Sequence, residues 1–122
     1  MKKILIADDS LFMRKVLADI LSSKPDEYEL LEAHSGKSAL ELFKEGKPDL
    51  ILLDIIMPEG EEAGIEVLRE VMKINPEAKV VMITAVGQEL VIKECKKLGA
   101  KDYIIKPFDE KQVAMTVEKY LR

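Results

Sequence analysis

The sequence is poor in cysteine and histidine, and this restricts the chemistry open to the chain. Its 122 residues include one cysteine, one histidine and no tryptophan. Cys95 has no second cysteine with which to form a disulfide inside the chain, and together with His34 it is a poor basis for a zinc site. We therefore interpret Cys95 and His34 as structural residues and look elsewhere for a functional site.

Long apolar runs and an excess of positive charge are also missing. The apolar run after the N-terminal Met-Lys-Lys stops at Asp8, too soon for a signal peptide or a membrane span, so we expect a cytoplasmic protein with no membrane partner. The net charge of -4 lacks the basic excess with which proteins neutralise a nucleic-acid backbone, so we expect no nucleic-acid partner. With 48% hydrophobic residues, the chain can build the core of one compact domain.

The sequence alternates between two apolar patterns. Short apolar runs predict five strands, at residues 3–7, 28–33, 50–54, 79–84 and 102–106. Apolar residues at intervals of three and four predict five helices, at residues 10–23, 37–46, 64–75, 88–99 and 110–121. Strands that alternate with helices predict an α/β fold, in which helices cover both faces of a parallel sheet.

Several residues mark the ends of the predicted helices. Gly46 and Gly99 stand where helix C-caps are expected, and a proline follows the second and third helices, at Pro48 and Pro76. Asp109 and the glutamine three residues later resemble a capping box at the start of the last helix.

Charged residues stand at the carboxyl ends of the predicted strands. Asp54 ends a buried run, where an uncompensated carboxylate would cost several kcal/mol. In a parallel sheet these ends share one edge, where ligands bind. The candidate residues there are Asp8, Asp9, Asp54, Thr84 and Lys106. Three carboxylates at this edge require a cation, and oxygen ligands without imidazole or thiolate favour Mg²⁺.

The stretches ADDS, LLDIIMP, MITA and IIKPF, in this order, resemble the receiver domain of two-component response regulators, most closely its single-domain chemotaxis members. The resemblance covers essentially the whole chain. It implies a doubly wound, flavodoxin-like sheet of five parallel strands in the order 2-1-3-4-5. It also implies that residues 1–122 form a single receiver domain, monomeric and without an output domain.

The resemblance implies a role for each residue of the acidic cluster. Asp54 would accept a phosphoryl group from a phosphohistidine of a sensor kinase. Asp9, the Asp54 carboxylate and the backbone carbonyl of Ile56 would bind Mg²⁺ directly, and Asp8 would reach the ion through water. The protein would be a phospho-accepting signalling switch rather than a conventional enzyme.

A conformational switch is also implied. Thr84 and Lys106 would contact the new phosphoryl group, and the bond from Lys106 to Pro107 would be cis. Tyr103 would turn from solvent into the protein as Thr84 moves. The face formed by the fourth helix, fifth strand and fifth helix would then change its affinity for the flagellar motor switch or an adaptor.

Two apolar residues bear on the lifetime of the phosphorylated state. In receivers, the side chains two positions after the phosphorylated aspartate and two after the threonine flank the phosphoryl group, and here these are Ile56 and Val86. Neither can orient an attacking water by hydrogen bonding. We therefore expect slow self-dephosphorylation, with a phosphatase or return transfer ending the signal.

The loop after Pro58 departs from the family pattern. Five residues separate Pro58 from Gly64, two more than the family usually has, and Ala63 precedes the glycine in place of Asn or Asp. The extra Glu61 and Glu62 would hang beside the metal site, or form an ordinary solvated loop.

Other functions were weighed against the same residues. A flavodoxin-like FMN carrier needs a first loop that binds phosphate, and the two carboxylates of ADDSLF would repel one. The P-loop pattern GxxxxGK[ST] is absent, and DDS does not fit an aspartyl phosphatase, which needs its second acid two residues after the first. A phosphorelay intermediate, which passes its phosphoryl group to a histidine phosphotransfer protein, stays open as the alternative within the family.

Overall fold

The protein is described from a computed structural model, which covers residues 1–22, 28–85 and 88–121. The strands are β1 (Lys2–Ala7), β2 (Tyr28–Ala33), β3 (Leu50–Asp54), β4 (Val80–Ala85) and β5 (Asp102–Lys106). The helices are α1 (Leu11–Leu21), α2 (Gly36–Gly46), α3 (Ala63–Ile74), α4 (Glu89–Leu98) and α5 (Glu110–Leu121). The predicted elements are confirmed, and their ends coincide or differ by one residue wherever both the predicted and the observed ends are described.

The strands form one parallel sheet in the order β2-β1-β3-β4-β5. The predicted fold class and strand order are therefore confirmed. The register sets Ala7 beside Leu53 and Asp54 beside Ile83, so the carboxyl ends of β1, β3 and β4 lie nearly level. This register determines which side chains meet at the edge of the sheet.

Each face of the sheet is covered by helices, and the strand residues alternate between two cores. Leu5 and Leu53 pack on the side of α2, α3 and α4, whereas Ile4 and Leu52 pack on the side of α1 and α5. All five residues of β3 are buried, as expected for a central strand covered on both faces. Cys95 is buried in the first core, where burial raises the pKa of its thiol to about 11, consistent with a structural role.

Most of the predicted helix ends are confirmed. The C-cap of α4 is Gly99, with a φ of 119°, and the Asp109 carboxylate accepts a hydrogen bond of 2.6 Å from the amide of Gln112. The prediction that Gly46 caps α2 is wrong, since Gly46 is the last helical residue and Lys47 takes the left-handed conformation. Gly46 instead makes room for β2, because a Cβ there would lie 2.6 Å from Cδ1 of Leu31.

No helix in the described part of the chain is both long and apolar enough to cross a membrane.

Candidate functional site

The carboxyl ends of β1 and β3 bring three aspartates together. One carboxylate oxygen from each of Asp8, Asp9 and Asp54 lies within 4.8 Å of the others. Asp8 and Asp54 are almost completely buried, with 1% and 8% of their surface exposed, whereas Asp9 is open to solvent. The cluster is therefore a half-enclosed acidic site with one side open for an approaching molecule.

Lys106, the last residue of β5, lies across this cluster. Its Nζ donates hydrogen bonds of 3.2 Å to Oδ2 of Asp8 and of 3.2 Å to Oδ2 of Asp54. The peptide bond from Lys106 to Pro107 is cis. One ammonium group is thus shared between two buried carboxylates, and the third carboxylate, of Asp9, has no cation beside it among the described residues.

The pKa values of the site reflect this excess of negative charge. Burial raises the pKa of Asp54, and the neighbouring Asp8 carboxylate raises it further, although Lys106 opposes both effects. Burial alone would lower the pKa of Lys106, but the carboxylates of Asp54 and Asp8 outweigh it and leave that pKa raised. Lys106 is therefore protonated at neutral pH. The ionised form of Asp54 is destabilised by burial and by the Asp8 carboxylate, and a further cation would stabilise it.

The first loop is fixed by hydrogen bonds that the sequence analysis did not identify. The amide of Ser10 donates to Oδ1 of Asp8 over 2.8 Å. Arg14 donates from Nη1 to the backbone carbonyl of Asp8 over 2.7 Å and forms a 3.0 Å ion pair with Glu32 of β2. Asp8 is thus held from both sides. Ser10 is the N-cap of α1, a common position for serine, and nothing in the sequence indicated that Arg14 would reach the carbonyl of Asp8.

A cavity of about 340 Å³ opens above Asp54. Its lining joins the ends of β3, β4 and β5 to the loops beyond them: Asp54, Ile55, Ile56, Glu61, Glu62, Ile65, Thr84, Ala85, Gln88, Val91 and Lys106. Thr84 is buried, Ile56 is 51% exposed, and the amide of Ile56 lies 3.4 Å from Oδ1 of Asp54. Gln88 was predicted only as a helix residue, and its place in the lining of this cavity was not predicted.

The loop from Met57 to Glu62 is more ordered than a simple solvated loop. Met57 and Gly60 exchange backbone hydrogen bonds of 3.2 and 2.9 Å. The Glu59 carboxylate accepts two hydrogen bonds of 3.0 Å, from the amides of Gly36 and Lys37 at the start of α2. These two bonds lower the pKa of Glu59. The sequence analysis did not identify this contact, which joins residues more than twenty positions apart.

Gly64 allows α3 to begin directly against the end of β3. Its amide donates to the carbonyl of Ile55 over 2.7 Å, and a Cβ at this position would lie 2.2 Å from the carbonyl oxygen of Asp54. Any larger residue would push helix and strand apart. Gly64 therefore occupies a place where the close approach of α3 to β3 needs a glycine.

Tyr103 belongs to the predicted switch, and Val86 is one of the two residues predicted to affect the lifetime of the phosphorylated state. Tyr103 is half-buried on β5, and the Nζ of Lys96 lies 4.9 Å from the centre of its ring, a cation–π distance. Val86 lies outside the described residues.

The residues at this edge suit a hard divalent cation. They supply carboxylate oxygens and no sulfur or imidazole, and three carboxylates face one lysine. Magnesium prefers oxygen ligands and retains several waters, which the open side of the cluster would admit. The acidic cluster could therefore hold Mg²⁺, and a metal of this charge would relieve the repulsion among its carboxylates.

Comparison with known proteins agrees with this architecture. Residues 4–118 match the family model of the response regulator receiver domain. The chain is 44% identical over 119 residues to the chemotaxis protein CheY of Thermotoga maritima, covering 97% of this chain and 96% of that one. It is 36% identical over 120 residues to the sporulation initiation phosphotransferase F of Bacillus subtilis, covering 98% and 94%. The crystal structure of the receiver domain of NtrX from Brucella abortus superimposes with a TM-score of 0.89 at 33% identity, covering 97% of both chains.

Proposed function

Because the chain belongs to the response regulator receiver domain family, we propose that it is a signalling switch in which Asp54 accepts a phosphoryl group from the phosphohistidine of a sensor kinase. Acceptance of a phosphoryl group is general for this family. The observation that carries the proposal is the position of Asp54, which lies at the end of β3, 3.2 Å from Lys106 and beside two further aspartates.

Transfer would form a bond between a carboxylate oxygen of Asp54 and phosphorus, and break the bond between phosphorus and the histidine nitrogen of the kinase. Such a reaction depends on positioning and charge neutralisation more than on covalent help from the protein. Lys106 supplies one fixed positive charge. Asp9, Asp54 and the carbonyl of Ile56 would hold Mg²⁺, with Asp8 reaching it through water, and the ion would neutralise the transferring oxygens.

The phosphorylated state would be read on the face made by α4, β5 and α5. Phosphorylation adds about 1.5 to 2 negative charges beside Lys106 and Thr84. Tyr103 is half-buried on β5, so its ring has room to change its exposure when Thr84 moves. Two large apolar side chains on these helices, Leu90 and Met115, are exposed at 82% and 61%, and exposed apolar residues of this size suit a protein partner.

We place the switch in chemotaxis, because a chemotaxis protein is among its relatives at 44% identity over nearly the whole of both chains. The partner would then be the flagellar motor switch or an adaptor to it, and the kinase a chemotaxis kinase. A phosphatase could end the signal. A second function, that of a phosphorelay intermediate, is favoured by the relationship to the sporulation phosphotransferase, with 36% identity.

Phosphotransfer between purified proteins separates the two functions. A radiolabelled chemotaxis kinase is mixed with the chain, and the labelled chain is then mixed with a histidine phosphotransfer protein. The chemotaxis function predicts rapid transfer from the kinase and no onward transfer. Onward transfer at a comparable rate would establish the relay instead, and no transfer from the kinase phosphohistidine would contradict the proposed function.

A further inference from the structure

A second concave surface, which the proposed function does not use, lies between α2 and α3. It is a groove of about 610 Å³, and its lining comes from both helices and the loop before α3: Gly36, Lys37, Leu40, Glu59, Gly60, Glu61, Glu62, Ala63, Glu66, Val67 and Glu70. We infer that this groove, the α2–α3 groove, is a docking site for a basic amphipathic segment of a partner protein. Apolar side chains of that segment would rest on the floor, and its lysines or arginines would face the acidic rim.

The floor of the groove is apolar and closely packed. Ala63 and Val67 are buried members of the core beneath it, and Leu40 packs against the same core while only partly buried. At Gly36 a Cβ would lie 3.2 Å from Cγ2 of Val67 and 3.4 Å from Oε1 of Glu59, so the absence of a side chain lets the start of α2 pack closely against both residues. An apolar side chain of a partner would therefore rest mainly on Leu40, the partly exposed apolar residue of the floor.

The charged residues at the rim of the groove favour a positively charged partner. Five glutamates and one lysine line the groove. Glu66 pairs with Arg69 and Glu70 with Lys73 along α3, and Glu59 is bound to the amides of α2. Within the described residues, the carboxylates of Glu61 and Glu62 have no cationic or hydrogen-bonding partner, so the uncompensated charge is concentrated at the loop.

This charge favours one class of occupant over the others. An anionic membrane or a nucleic acid would be repelled by the glutamates, and a second copy of this chain, with a net charge of -4, would be repelled over longer range. A peptide segment that contains lysine or arginine would be attracted instead. Its positive charges would face Glu61 and Glu62, and its apolar residues would be buried on the floor of the groove.

The groove is also formed in advance of binding. The hydrogen bonds from Gly36 and Lys37 to Glu59 fix the loop to α2, and the paired backbones of Met57 and Gly60 close the turn before it. A partner would not need to order this wall, which lowers the entropic cost of binding.

Glu61 and Glu62 belong to two sites at once. They line the α2–α3 groove and also the cavity above Asp54. A segment docked in the groove would therefore end near Asp54. The rest of the partner protein would then lie close enough to contact the cavity above Asp54. Docking itself needs no phosphorylation, so the groove can be tested without a phosphodonor or Mg²⁺, and its failure is distinguishable from failure of the proposed function.

The probe is a fluorescent synthetic peptide of leucine and lysine at helical spacing, about three turns long. Its binding is followed by anisotropy, and the contacted residues by amide chemical shifts of the protein. We expect the largest shifts at residues 36–40 and 59–70. The Glu61→Lys, Glu62→Lys double variant should lose about tenfold or more in affinity, because two attractions become repulsions.

The matched control is Glu41→Lys with Glu45→Lys, which makes the same change in charge on exposed residues of α2 outside the groove. Thermal unfolding checks that both double variants are folded. The inference is overturned if the control loses as much affinity as the groove variant, since attraction would then depend on net charge alone. Chemical-shift changes centred outside the groove on addition of the peptide would overturn it too. So would changes at the groove amides that appear with rising protein concentration alone, because they would indicate a dimer of this chain.

Discussion

The ammonium group of Lys106 lies 3.2 Å from a carboxylate oxygen of Asp54, although 52 positions separate the two residues in the chain. The parallel register of β3, β4 and β5 brings them together, since each of the two residues ends its strand. Lys106 contacts Asp8 in the same way. It is therefore placed to respond when the charge on Asp54 changes.

Replacement of Lys106 by alanine should separate phosphorylation from its structural consequence. Acetyl phosphate with Mg²⁺ should still label the variant, because Asp54 and the metal ligands remain. Phosphorylation of the parent is expected to change the NMR chemical shifts of the amides in α4, β5 and α5. In Lys106→Ala those chemical shifts should not change on phosphorylation. The matched control is Lys15→Ala, which removes an exposed lysine of α1. If Lys106→Ala shows the same shifts as the parent, the switch does not run through Lys106.

The acidic cluster predicts a clear order among metal-site variants. Asp9 is one of the proposed direct ligands, so Asp9→Ala should weaken Mg²⁺ binding by about tenfold or more, which corresponds to about 1.4 kcal/mol or more. Glu61→Ala should change it by less than about twofold, because the Glu61 carboxylate is exposed and does not belong to the cluster of three aspartates. Both are measured by calorimetric titration with MgCl₂. Equal losses would mean that the longer loop supplies a ligand.

The outcome for the sequence predictions depends on whether a contact is set by the regular sheet or by the conformation of a loop and the packing of side chains. Asp8, Asp9, Asp54 and Lys106 could be placed together because each ends or follows a strand, and parallel strands end at one edge of the sheet. The Glu59 contact with α2 could not be predicted, because it depends on the conformation of a loop. The C-cap at Gly46 was misplaced because the glycine is required by the packing of Leu31 rather than by its own backbone.

The Glu59 contact predicts a pH-dependent contribution to stability. Its pKa is lower in the folded protein than the ordinary value of 4.5, so the ionised carboxylate stabilises the fold above that value, and the contribution is lost as the pH falls through the folded pKa. Glu59→Gln should therefore lower the free energy of unfolding by about 0.3–1 kcal/mol at pH 7.

Denaturant unfolding of the parent and Glu59→Gln at a series of pH values tests this, with Glu41→Gln as the control. The difference between parent and variant should close below pH 4.5. Amide exchange of Gly36 and Lys37 should be faster in Glu59→Gln at pH 7. A difference that stays constant down to the lowest pH would show that the carboxylate charge plays no part.

The apolar residues near the phosphoacceptor predict a long-lived signal. Ile56 lines the cavity above Asp54, and Val86 is expected beside it from the sequence. Ile56→Asn combined with Val86→Glu should speed the decay of phosphorylated protein by about tenfold, because polar groups there can orient the attacking water. Decay is followed after removal of the phosphodonor, with Ile74→Asn on exposed α3 as the control. A double variant no faster than the parent would refute this role.

The assignment of Asp54 as phosphoacceptor is tested most directly by acetyl phosphate labelling in the presence of Mg²⁺. Intact-protein mass spectrometry of the parent should show the gain of one phosphoryl group. Asp54→Asn should show none, because an amide cannot act as the nucleophile, while Asp19→Asn on exposed α1 should be labelled like the parent. Full labelling of Asp54→Asn would contradict the account.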